Sequence, residues 1–411
     1  MAVGEFAYRI TNYDIMRNWV RQLMSALDGF RILDLTSVIM GPLSTQILGD
    51  FGADVITVEP PEGGGNRGMG PGPHAELSGI ALNLLRNKRS VCLDLKKAEG
   101  RRAALEIART CDAMVTNLRP SPLRRLGLSY DDVITVRPYI VFCQVHGFPS
   151  ESPRADDPAY DDIIQTESGL ADASRRAGRS PELAPTILAD KICGLAIVNA
   201  VLAGLLRRAK SGEGQRIEIA MIDVMTAFML VEHGAGGIAR PPAGPVGWER
   251  VLSPERGPQQ TSDGWIHVLP YTADAFDAVF AAGNRTDLVD PKRTKREIAA
   301  NATFLYGELR EVIRTNTTAH WLEFCRARHI PVGEMATIDD MVERLPTLVH
   351  PVIGDYKSIP SPIRFSKTPA AVNRPAPRLG QDGSAVLLEV GYSAPEVERL
   401  TRDGVLGHAT A

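Results

Sequence analysis

The sequence predicts an α/β fold in which helices cover both faces of a mostly parallel sheet. Two observations support this class. Short strand-like runs alternate with helical segments from residue 31 onward, as expected where each parallel strand is followed by a crossover. The composition is that of a globular protein, with 44% hydrophobic and 23% charged residues. The 411 residues exceed one ordinary domain, so we expect two domains.

The predicted elements follow one another regularly in the first half of the chain. Arg31–Leu35 has the pattern of a strand, and Gly41-Pro42 opens an apolar helical segment that stops at Gly52. Val55–Val58 is β-branched and forms the next strand. The same alternation gives strands at Ser90–Leu95, Asp112–Thr116, Tyr139–Val145 and Gln215–Ala220, and helices at Ala98–Thr110 and Leu188–Ala209.

The segments that follow the predicted strands are candidate ligand-binding loops. In open α/β sheets, ligands bind beyond the carboxyl ends of the strands. These segments are rich in Gly, Pro, Ser or Arg, which are also the residues of ordinary turns. They are Thr36–Pro42, Glu59–Gly72, Asn117–Pro122 and His146–Pro153.

The second half of the chain begins with a change of composition. Gly234–Pro245 is dense in Gly and Pro, as expected of a linker between domains. The region from 248 to 345 contains several helical stretches, among them Lys295–Arg314. Near the end, Ser393 and Glu396 form a capping box for a last helix.

Charge and cysteine content exclude several classes of function. The net charge of −3 gives no basic excess, so we expect neither nucleic acid nor a membrane as a partner. Five scattered cysteines provide neither a disulfide framework nor a paired metal site, and we expect reduced thiols in a cytoplasmic protein. Residues 1–26 lack the apolar core of a signal peptide. The apolar run Gly194–Leu206 is too short to span a bilayer and predicts a buried helix.

Common nucleotide and metal motifs are missing from the sequence. The first strand-to-helix turn, Thr36–Pro42, lacks the glycines that let a pyrophosphate approach the backbone. The chain has no P-loop, no H-E-x-x-H and no G-x-S-x-G. Its eight histidines are dispersed, so we expect no metal site.

Two segments that contain carboxylates remain as candidates for chemistry. Pro158–Asp162 carries two acids, and Asp190 stands directly before a long apolar helix. By position alone, Asp190 is most simply the N-cap of that helix. Alternatively, it is a nucleophile towards an activated acyl group, with a helix N-terminus beside it to hold the developing oxyanion. The residues by themselves leave both interpretations open.

An ordered series of motifs around these residues resembles the class III CoA-transferases, or CaiB/BaiF family, which includes formyl-CoA transferase. Each motif is short, but their shared order is specific, and together they span about residues 27–405. The motifs are Leu27–Thr36, Gly41-Pro42, Gly52–Pro61, Asn87–Ser90, Leu93–Lys96, Asn117–Pro120, Arg125–Leu128, Tyr160-Asp161, Ser211–Gln215, Pro362–Ser366 and Ala376–Gly380.

The resemblance implies a reaction and an architecture. Asp190 would attack an acyl-CoA thioester to give a mixed anhydride, CoA would return to form an aspartyl-CoA thioester, and a carboxylic acid acceptor would reverse these steps. CoA is then the carried group, with no metal and no permanently bound cofactor. The implied fold is a doubly wound, Rossmann-like large domain (27–231, completed by 346–411) with a smaller α+β domain (232–345). Residues 1–26 are an extension, and two subunits interlock as a homodimer.

The resemblance also assigns contacts to CoA. Lys96 and Arg125 match basic positions near the CoA phosphates, and Arg67 matches another family position. Without the resemblance, these three would be ordinary surface or loop cations. The positions implied around the adenine and pantetheine are Val38, Met40, Leu93, Asn117, Leu118 and Met221.

Two departures from family patterns bear on the substrate. Ile39 stands where formyl-CoA transferase has a polar Gln, which favours a carbon-chain acid over oxalate or formate. Tyr160 stands where the related α-methylacyl-CoA racemases have a catalytic His, and a tyrosine hydroxyl is a poor base for an α-proton near neutral pH. Asp161 is then an active-site neighbour or a structural acid. A racemase-like enzyme and a non-catalytic CoA-binding protein remain the alternatives.

Overall fold

The computed structural model describes residues 25–407. Residues 1–24 of the predicted extension therefore lie outside the described residues. The chain divides into two compact units. The first comprises the described part of Met1–Asp161 with Ile187–Val224 and the described part of Leu345–Ala411, and the second comprises Asp162–Thr186 and Met225–Arg344. The predicted large domain, 27–231, includes residues 162–186, whereas in the structure these residues belong to the second unit.

The strands are β1 (Arg31–Leu35), β2 (Asp54–Glu59), β3 (Lys88–Leu93), β4 (Ala113–Thr116), β5 (Val141–His146), β6 (Gln215–Ala220), β7 (Gln259–Gln260), β8 (Trp265–Val268), β9 (Val332–Glu334), β10 (Thr347–His350), β11 (Gly354–Lys357) and β12 (Leu406–Gly407). The helices are α1 (Met40–Asp50), α2 (Gly79–Leu84), α3 (Ala98–Arg109), α4 (Pro120–Arg125), α5 (Tyr130–Val136), α6 (Asp161–Glu167), α7 (Leu170–Arg176), α8 (Leu188–Ser211), α9 (Met221–His233), α10 (Ala273–Ala282), α11 (Lys295–Ala300), α12 (Ala302–Ile313), α13 (Thr318–Ala327), α14 (Ile338–Glu343), α15 (Gly383–Glu389) and α16 (Ala394–Arg402).

A seven-stranded sheet in the order β12-β3-β2-β1-β4-β5-β6 forms the centre of the first unit. Strands β1 to β6 are parallel, and the short β12 pairs antiparallel with β3. The predicted α/β class and mostly parallel sheet are confirmed. The strand order reverses between β1 and β4, which is the topological switch point where doubly wound sheets bind ligands.

Buried strands and one long helix make the core of the first unit. Every residue of β4 and β5 is buried, as expected for a parallel sheet with elements on both faces. Helix α8 packs against α1 and β5. A Cβ on Gly204 of α8 would lie 2.6 Å from Val141, so this glycine permits the close approach to β5. Helix α8 is long and apolar enough to cross a membrane, with a mean hydropathy of 1.7, but half of that window is buried, as in a core helix.

The second unit has its own apolar core. Strands β7, β8 and β9 form an antiparallel sheet, and α10, α12 and α13 contribute the large buried side chains of Phe276, Phe280, Tyr306 and Trp321. The predicted helical stretch Lys295–Arg314 is two helices, since α11 ends at Ala300 and α12 begins at Ala302.

Candidate functional site

A cavity of about 170 Å³ lies in the first unit at the carboxyl ends of β1, β4 and β5. This is the switch point of the sheet, as the strand order requires. Its walls come from the turn after β1, the loops after β4 and β5, the segment 157–160 and the first turns of α8 and α9. We call it the site cavity.

A second cavity, of about 270 Å³, lies beside the first and shares Ser37 and Asn117 with it. Its walls are mostly apolar and include Leu35, Val58 and Leu126. The shared residues make the two cavities neighbours along the same edge of the sheet. We call the second one the apolar groove.

The structure brings most of the predicted site residues to these two cavities. The site cavity is lined by Val38, Met40, Asn117, Asp190 and Met221. The apolar groove is lined by Leu93, Lys96, Asn117 and Leu118.

The two predicted arginines are placed differently. Arg125 is exposed on α4 and lines neither cavity, although the next residue, Leu126, lines the groove. Arg67 is buried, and its guanidinium donates to both carboxylate oxygens of Glu59 at 2.7 and 2.6 Å. Its donors also reach the backbone oxygens of Glu76 and Pro377. Arg67 therefore holds the loop after β2 in place, and these contacts leave it little capacity for a ligand.

The turn after β1 is held in an unusual conformation. The side-chain amide of Asn117 accepts from the N–H of Ser37 at 3.1 Å and donates to its carbonyl at 2.9 Å. Val38 then has a φ of 69°, a strained conformation for a β-branched residue. A Cβ on Gly41 would lie 2.3 Å from Thr36, so only glycine fits there. The strain and the tight packing fix the end of α1 against the site cavity.

Asp190 lies in the first turn of α8, at the wall of the site cavity, and is 8% exposed. The N-cap prediction is wrong, because Ile187 occupies that position. The N–H of Asp190 donates to Oδ1 of Asp161 at 3.0 Å. Its carboxylate accepts from the N–H of Met40, the first residue of α1. The nucleophile candidate thus faces the N-terminus of a second helix.

Gly194 explains how the two helices come so close. A Cβ at this position would lie 3.0 Å from the carbonyl oxygen of Met40 and 3.2 Å from the side chain of Leu43. A larger residue would separate the start of α8 from the start of α1. The glycine in the first turns of α8 therefore sets the contact between Asp190 and Met40.

The environment of Asp190 raises its pKa from 3.8 to about 6. Burial is the largest cause and the negative charge of Asp161 is the second, while the hydrogen bond from Met40 opposes them. A carboxylate that ionises near pH 6 combines an ionised state at neutral pH with greater basicity than a free aspartate. This perturbation is typical of functional carboxylates.

We expect the rate of a reaction that uses the Asp190 carboxylate to fall as the pH drops through about 6, because the protonated form is not nucleophilic. The kcat/KM profile against pH should show one acidic limb with this midpoint and a plateau above it. Asp161→Asn removes the neighbouring negative charge and should move the midpoint to lower pH. A flat profile through pH ~5, or an unmoved midpoint in the variant, would contradict this assignment.

Arg119 and His146 are among the cavity residues that the sequence analysis did not assign. They stand at the ends of β4 and β5, inside loops that were predicted as candidates. The His146 side chain is 1% exposed, and its Nε2 lies 3.3 Å from Ser150 Oγ and 3.6 Å from Glu218 Oε1. Burial lowers its pKa, with the attraction to Glu218 opposing, so His146 is neutral near pH 7.

Metal ligands do not cluster in this site. Within residues 25–407, no group of three or more His, Cys, Asp or Glu side chains is arranged to hold an ion. The charged side chains that line the cavity are Arg119, Asp157 and Asp190.

Comparisons with known proteins point to one family. A family model described as CoA-transferase family III matches residues 27–383. Succinyl-CoA:glutarate CoA-transferase from Mus musculus is 30% identical, over 93% of this chain and 91% of the relative. Formyl-CoA:oxalate CoA-transferase from Afipia carboxidovorans is 29% identical, over 94% and 98%. A crystal structure of a CaiB/BaiF family protein from Brucella suis has a TM-score of 0.76 at 26% identity, covering 89% of this chain and 99% of that one.

Proposed function

The chain belongs to CoA-transferase family III, and we propose that it transfers CoA between carboxylic acids through covalent intermediates on Asp190. The observation that carries this proposal is the position of the Asp190 carboxylate. It lies in a cavity next to an apolar groove, beside the free N-terminus of α1. The chain is a CoA-transferase, as are its named relatives.

In the first half of the proposed reaction, a carboxylate oxygen of Asp190 attacks the thioester carbon of the donor. The C–S bond breaks, CoA leaves as a thiolate, and a mixed anhydride joins Asp190 to the acyl group. The thiolate then attacks the side-chain carbonyl carbon of Asp190. The donor acid leaves as a carboxylate, and Asp190 carries CoA as a thioester.

The second half reverses these steps with the acceptor. Its carboxylate attacks the aspartyl thioester and expels the CoA thiolate, which gives a new mixed anhydride. The thiolate attacks the acyl carbon of the acceptor, so that the new acyl-CoA forms and the Asp190 carboxylate is restored. The sequence is redox-neutral and needs no group beyond CoA and the two acids.

The N-terminus of α1 supports these steps electrostatically. Negative charge develops on a carbonyl oxygen of Asp190 whenever a thiolate or carboxylate adds to it. The N–H of Met40 already donates to this carboxylate, and it belongs to the first turn of an 11-residue helix, where N–H groups have no partner within the helix. Such preorganised donors stabilise an oxyanion without reorganising during the reaction.

The apolar groove supplies a place for CoA. Leu93, Leu118 and the Asn117 amide suit an adenine and pantetheine chain, while Lys96 lies at its edge for the phosphates. Arg125 is exposed within one residue of the groove wall. It can contribute charge to a phosphate from the surface. Because the groove and the site cavity share Ser37 and Asn117, the thiol would extend towards Asp190.

Carbon-chain acids are the proposed substrates. Ile39 is buried at the N-cap position of α1 and is not itself a lining residue of the site cavity, so this position offers no polar donor there. Met40 and Met221 add apolar surface to the cavity. The relative from Mus musculus is named for succinyl-CoA and glutarate, which fits this lining better than oxalate does.

The racemase alternative would need a second acid–base group on the opposite side of an α-carbon. Tyr160 lines the cavity and is a poor base near neutral pH. The neutral His146 is a better base, but its side chain is 1% exposed and its Nε2 contacts Ser150 Oγ at 3.3 Å and Glu218 Oε1 at 3.6 Å. This burial favours transfer over racemisation.

We also propose a cytoplasmic homodimer that interlocks. The described cysteines are all buried and unpaired, and burial raises the pKa of the Cys143 thiol to about 12, as suits an inert reduced thiol. Leu195 and Leu206 on α8 are 54% and 57% exposed. A second subunit would cover these side chains, and the mass measured by light scattering tests that association.

Trapping the covalent intermediate tests the proposed function directly. The protein is incubated with succinyl-CoA, butyryl-CoA or acetyl-CoA and then with hydroxylamine, which converts an aspartyl anhydride or thioester into a hydroxamate. Peptide mass spectrometry should find the modification on Asp190 after reaction with at least one donor. No adduct from any donor, together with deuterium exchange at the α-carbon of an acyl-CoA, would establish the racemase alternative instead.

A further inference from the structure

We propose that Arg119 binds a second carboxylate of the acid, and that the enzyme therefore prefers dicarboxylic over monocarboxylic acyl groups. The inference rests on the proposed function, because it places the acyl group of the aspartyl intermediate in the site cavity. It adds a specificity-determining residue to that site.

The charges around the site cavity single out Arg119. Among its described lining residues, Arg119 is the one with a permanent positive charge. The acids in the same lining are Asp190, the proposed nucleophile, and Asp157, which is bound by Arg154 at 2.9 Å. His146 is neutral near pH 7, because burial lowers its pKa. A carboxylate that enters the cavity therefore finds one side chain that can neutralise it.

The contacts of Arg119 leave most of its donors available. Nη1 donates to the backbone oxygen of Asp156, whereas a guanidinium has five N–H donors. The positive charge of Arg119 helps to lower the pKa of Asp156, but the hydrogen bonds from Ser121 are the larger cause. The N–H of Ser121 donates to the Asp156 carboxylate at 2.8 Å. Among residues 25–407, Arg119 has no carboxylate as an ion-pair partner.

Geometry distinguishes Arg119 from the other arginines near the site. Arg67 forms an ion pair with Glu59, and Arg125 is exposed and lines neither cavity. Arg119 is partly buried, lies in the loop between β4 and α4, and is fixed through its contact with Asp156. A guanidinium fixed at one nitrogen is preorganised to bind a carboxylate with the others, and partial burial strengthens that interaction.

The chemistry of the transfer explains what such a residue would do. One carboxylate of the acid must reach the carbonyl carbon of Asp190. A second carboxylate, at the other end of the carbon chain, then lies in the same cavity at a distance from Asp190 that the length of the chain sets. Arg119 would bind that group in both half reactions, since donor and acceptor acids occupy the cavity in turn. A methyl group in its place would leave the guanidinium without a partner.

Succinyl-CoA and butyryl-CoA provide the matched test, because they differ by a carboxylate in place of a methyl group. The first half reaction is measured with each donor as the rate at which the enzyme-bound CoA thioester forms, and the ratio of the two kcat/KM values is calculated. Each ratio comes from a single preparation, so it is independent of the folded fraction. The wild-type enzyme should favour succinyl-CoA, and Arg119→Gln should reduce this preference roughly 10- to 100-fold, as expected for a charge-assisted bond.

Two further variants separate binding from structure. Arg119→Lys keeps the charge and should retain part of the preference. Arg124→Gln removes an exposed arginine from α4, the helix that begins directly after Arg119. This residue lies outside both cavities, and its loss should leave the ratio unchanged. Glutaryl-CoA against valeryl-CoA repeats the comparison with one more methylene.

The possible failures are distinguishable. The inference is overturned if wild-type enzyme reacts equally well with both donors of a pair, or if Arg119→Gln slows both donors by the same factor. If no donor forms an adduct at Asp190, the proposed function itself fails. The ratio of the two kcat/KM values then does not describe a CoA transfer, and the inference fails with it.

Discussion

Asp190→Asn is expected to abolish CoA exchange, with a loss of ~10⁴-fold or more, because the amide cannot act as the nucleophile that carries the acyl group and CoA. The amide oxygen can still accept from the N–H of Met40, and the groove that would hold CoA is not altered. CoA affinity measured by calorimetry should therefore stay within about threefold of the wild-type value. Exchange is measured by transfer of isotope-labelled acid into acyl-CoA.

The control for this variant is Asp162→Asn, which removes an exposed carboxylate next to Asp161. It should retain exchange, so a loss in both variants would indicate a general effect of charge in this region. Persistent exchange in Asp190→Asn would show that another group is the nucleophile. Loss of CoA binding together with exchange would instead assign Asp190 to binding.

The same substitution should stabilise the fold. The pKa of Asp190 is about 6 in the folded protein against 3.8 for an ordinary aspartate, so the ionised form is disfavoured on folding. The free-energy penalty of burying the ionised carboxylate is complete well above pH 6. It shrinks as the pH falls through 6 and vanishes below 3.8. At pH ~7.5, Asp190→Asn should increase the free energy of unfolding by about 3 kcal/mol, at about 1.4 kcal/mol for each pKa unit. Urea titrations at several pH values measure it.

The sequence alone left the role of Asp190 open between a helix N-cap and a nucleophile. An aspartate before an apolar helix is an ordinary N-cap pattern, and the true N-cap, Ile187, carries no capping side chain. The features that distinguish a nucleophile are its burial, the Asp161 carboxylate and the N–H of Met40. They come from segments distant in sequence, so the residues alone left Asp190 open between an N-cap and a nucleophile, and the resemblance indicated the role but not these contacts.

Local patterns predicted the sheet of the first unit well. The predicted bounds of β1 and β6 agree with the structure, and α8 begins at the predicted Leu188. Runs of alternating or continuous apolar residues determine these elements, so they can be recognised without knowledge of their neighbours. The break between α11 and α12 was missed, because the helical periodicity continues across Asn301.

Side-chain partnerships were much harder to predict. Arg119 and His146 meet in one cavity because β4 and β5 are adjacent in the sheet. The sequence marked both loops as candidates without pairing them. Arg67 resembled a ligand-binding position, but it forms an ion pair with Glu59 that depends on how the loop after β2 folds back.

Lys88 illustrates a buried group that the sequence presented only as part of a motif. It lies on β3, and its Nζ donates to Asp34 Oδ2 at 2.9 Å, to Thr45 Oγ1 at 2.7 Å and to the carbonyl oxygen of Pro42 at 2.9 Å. The side chain is completely buried, and burial lowers its pKa, against the opposing attraction of Asp34. These bonds join β3 and β1 to the first turns of α1, the helix that supplies the Met40 donor.

Lys88→Met should therefore cost about 3–5 kcal/mol of unfolding free energy, because it leaves the Asp34 carboxylate buried without its cation. Lys97→Met is the matched control. This exposed lysine lies 4.0 Å from Asp94 and donates to the backbone oxygens of Asp403 and Gly404. Because these contacts are exposed to water, the loss there should be below about 1 kcal/mol. The double variant Asp34→Asn with Lys88→Met removes both charges and should be more stable than Lys88→Met alone.

Urea unfolding decides between the alternatives. Equal losses for the two lysines would mean that the pair contributes little. A double variant no more stable than Lys88→Met would mean that the lost bonds to Pro42 and Thr45, and not the uncompensated charge, account for the cost.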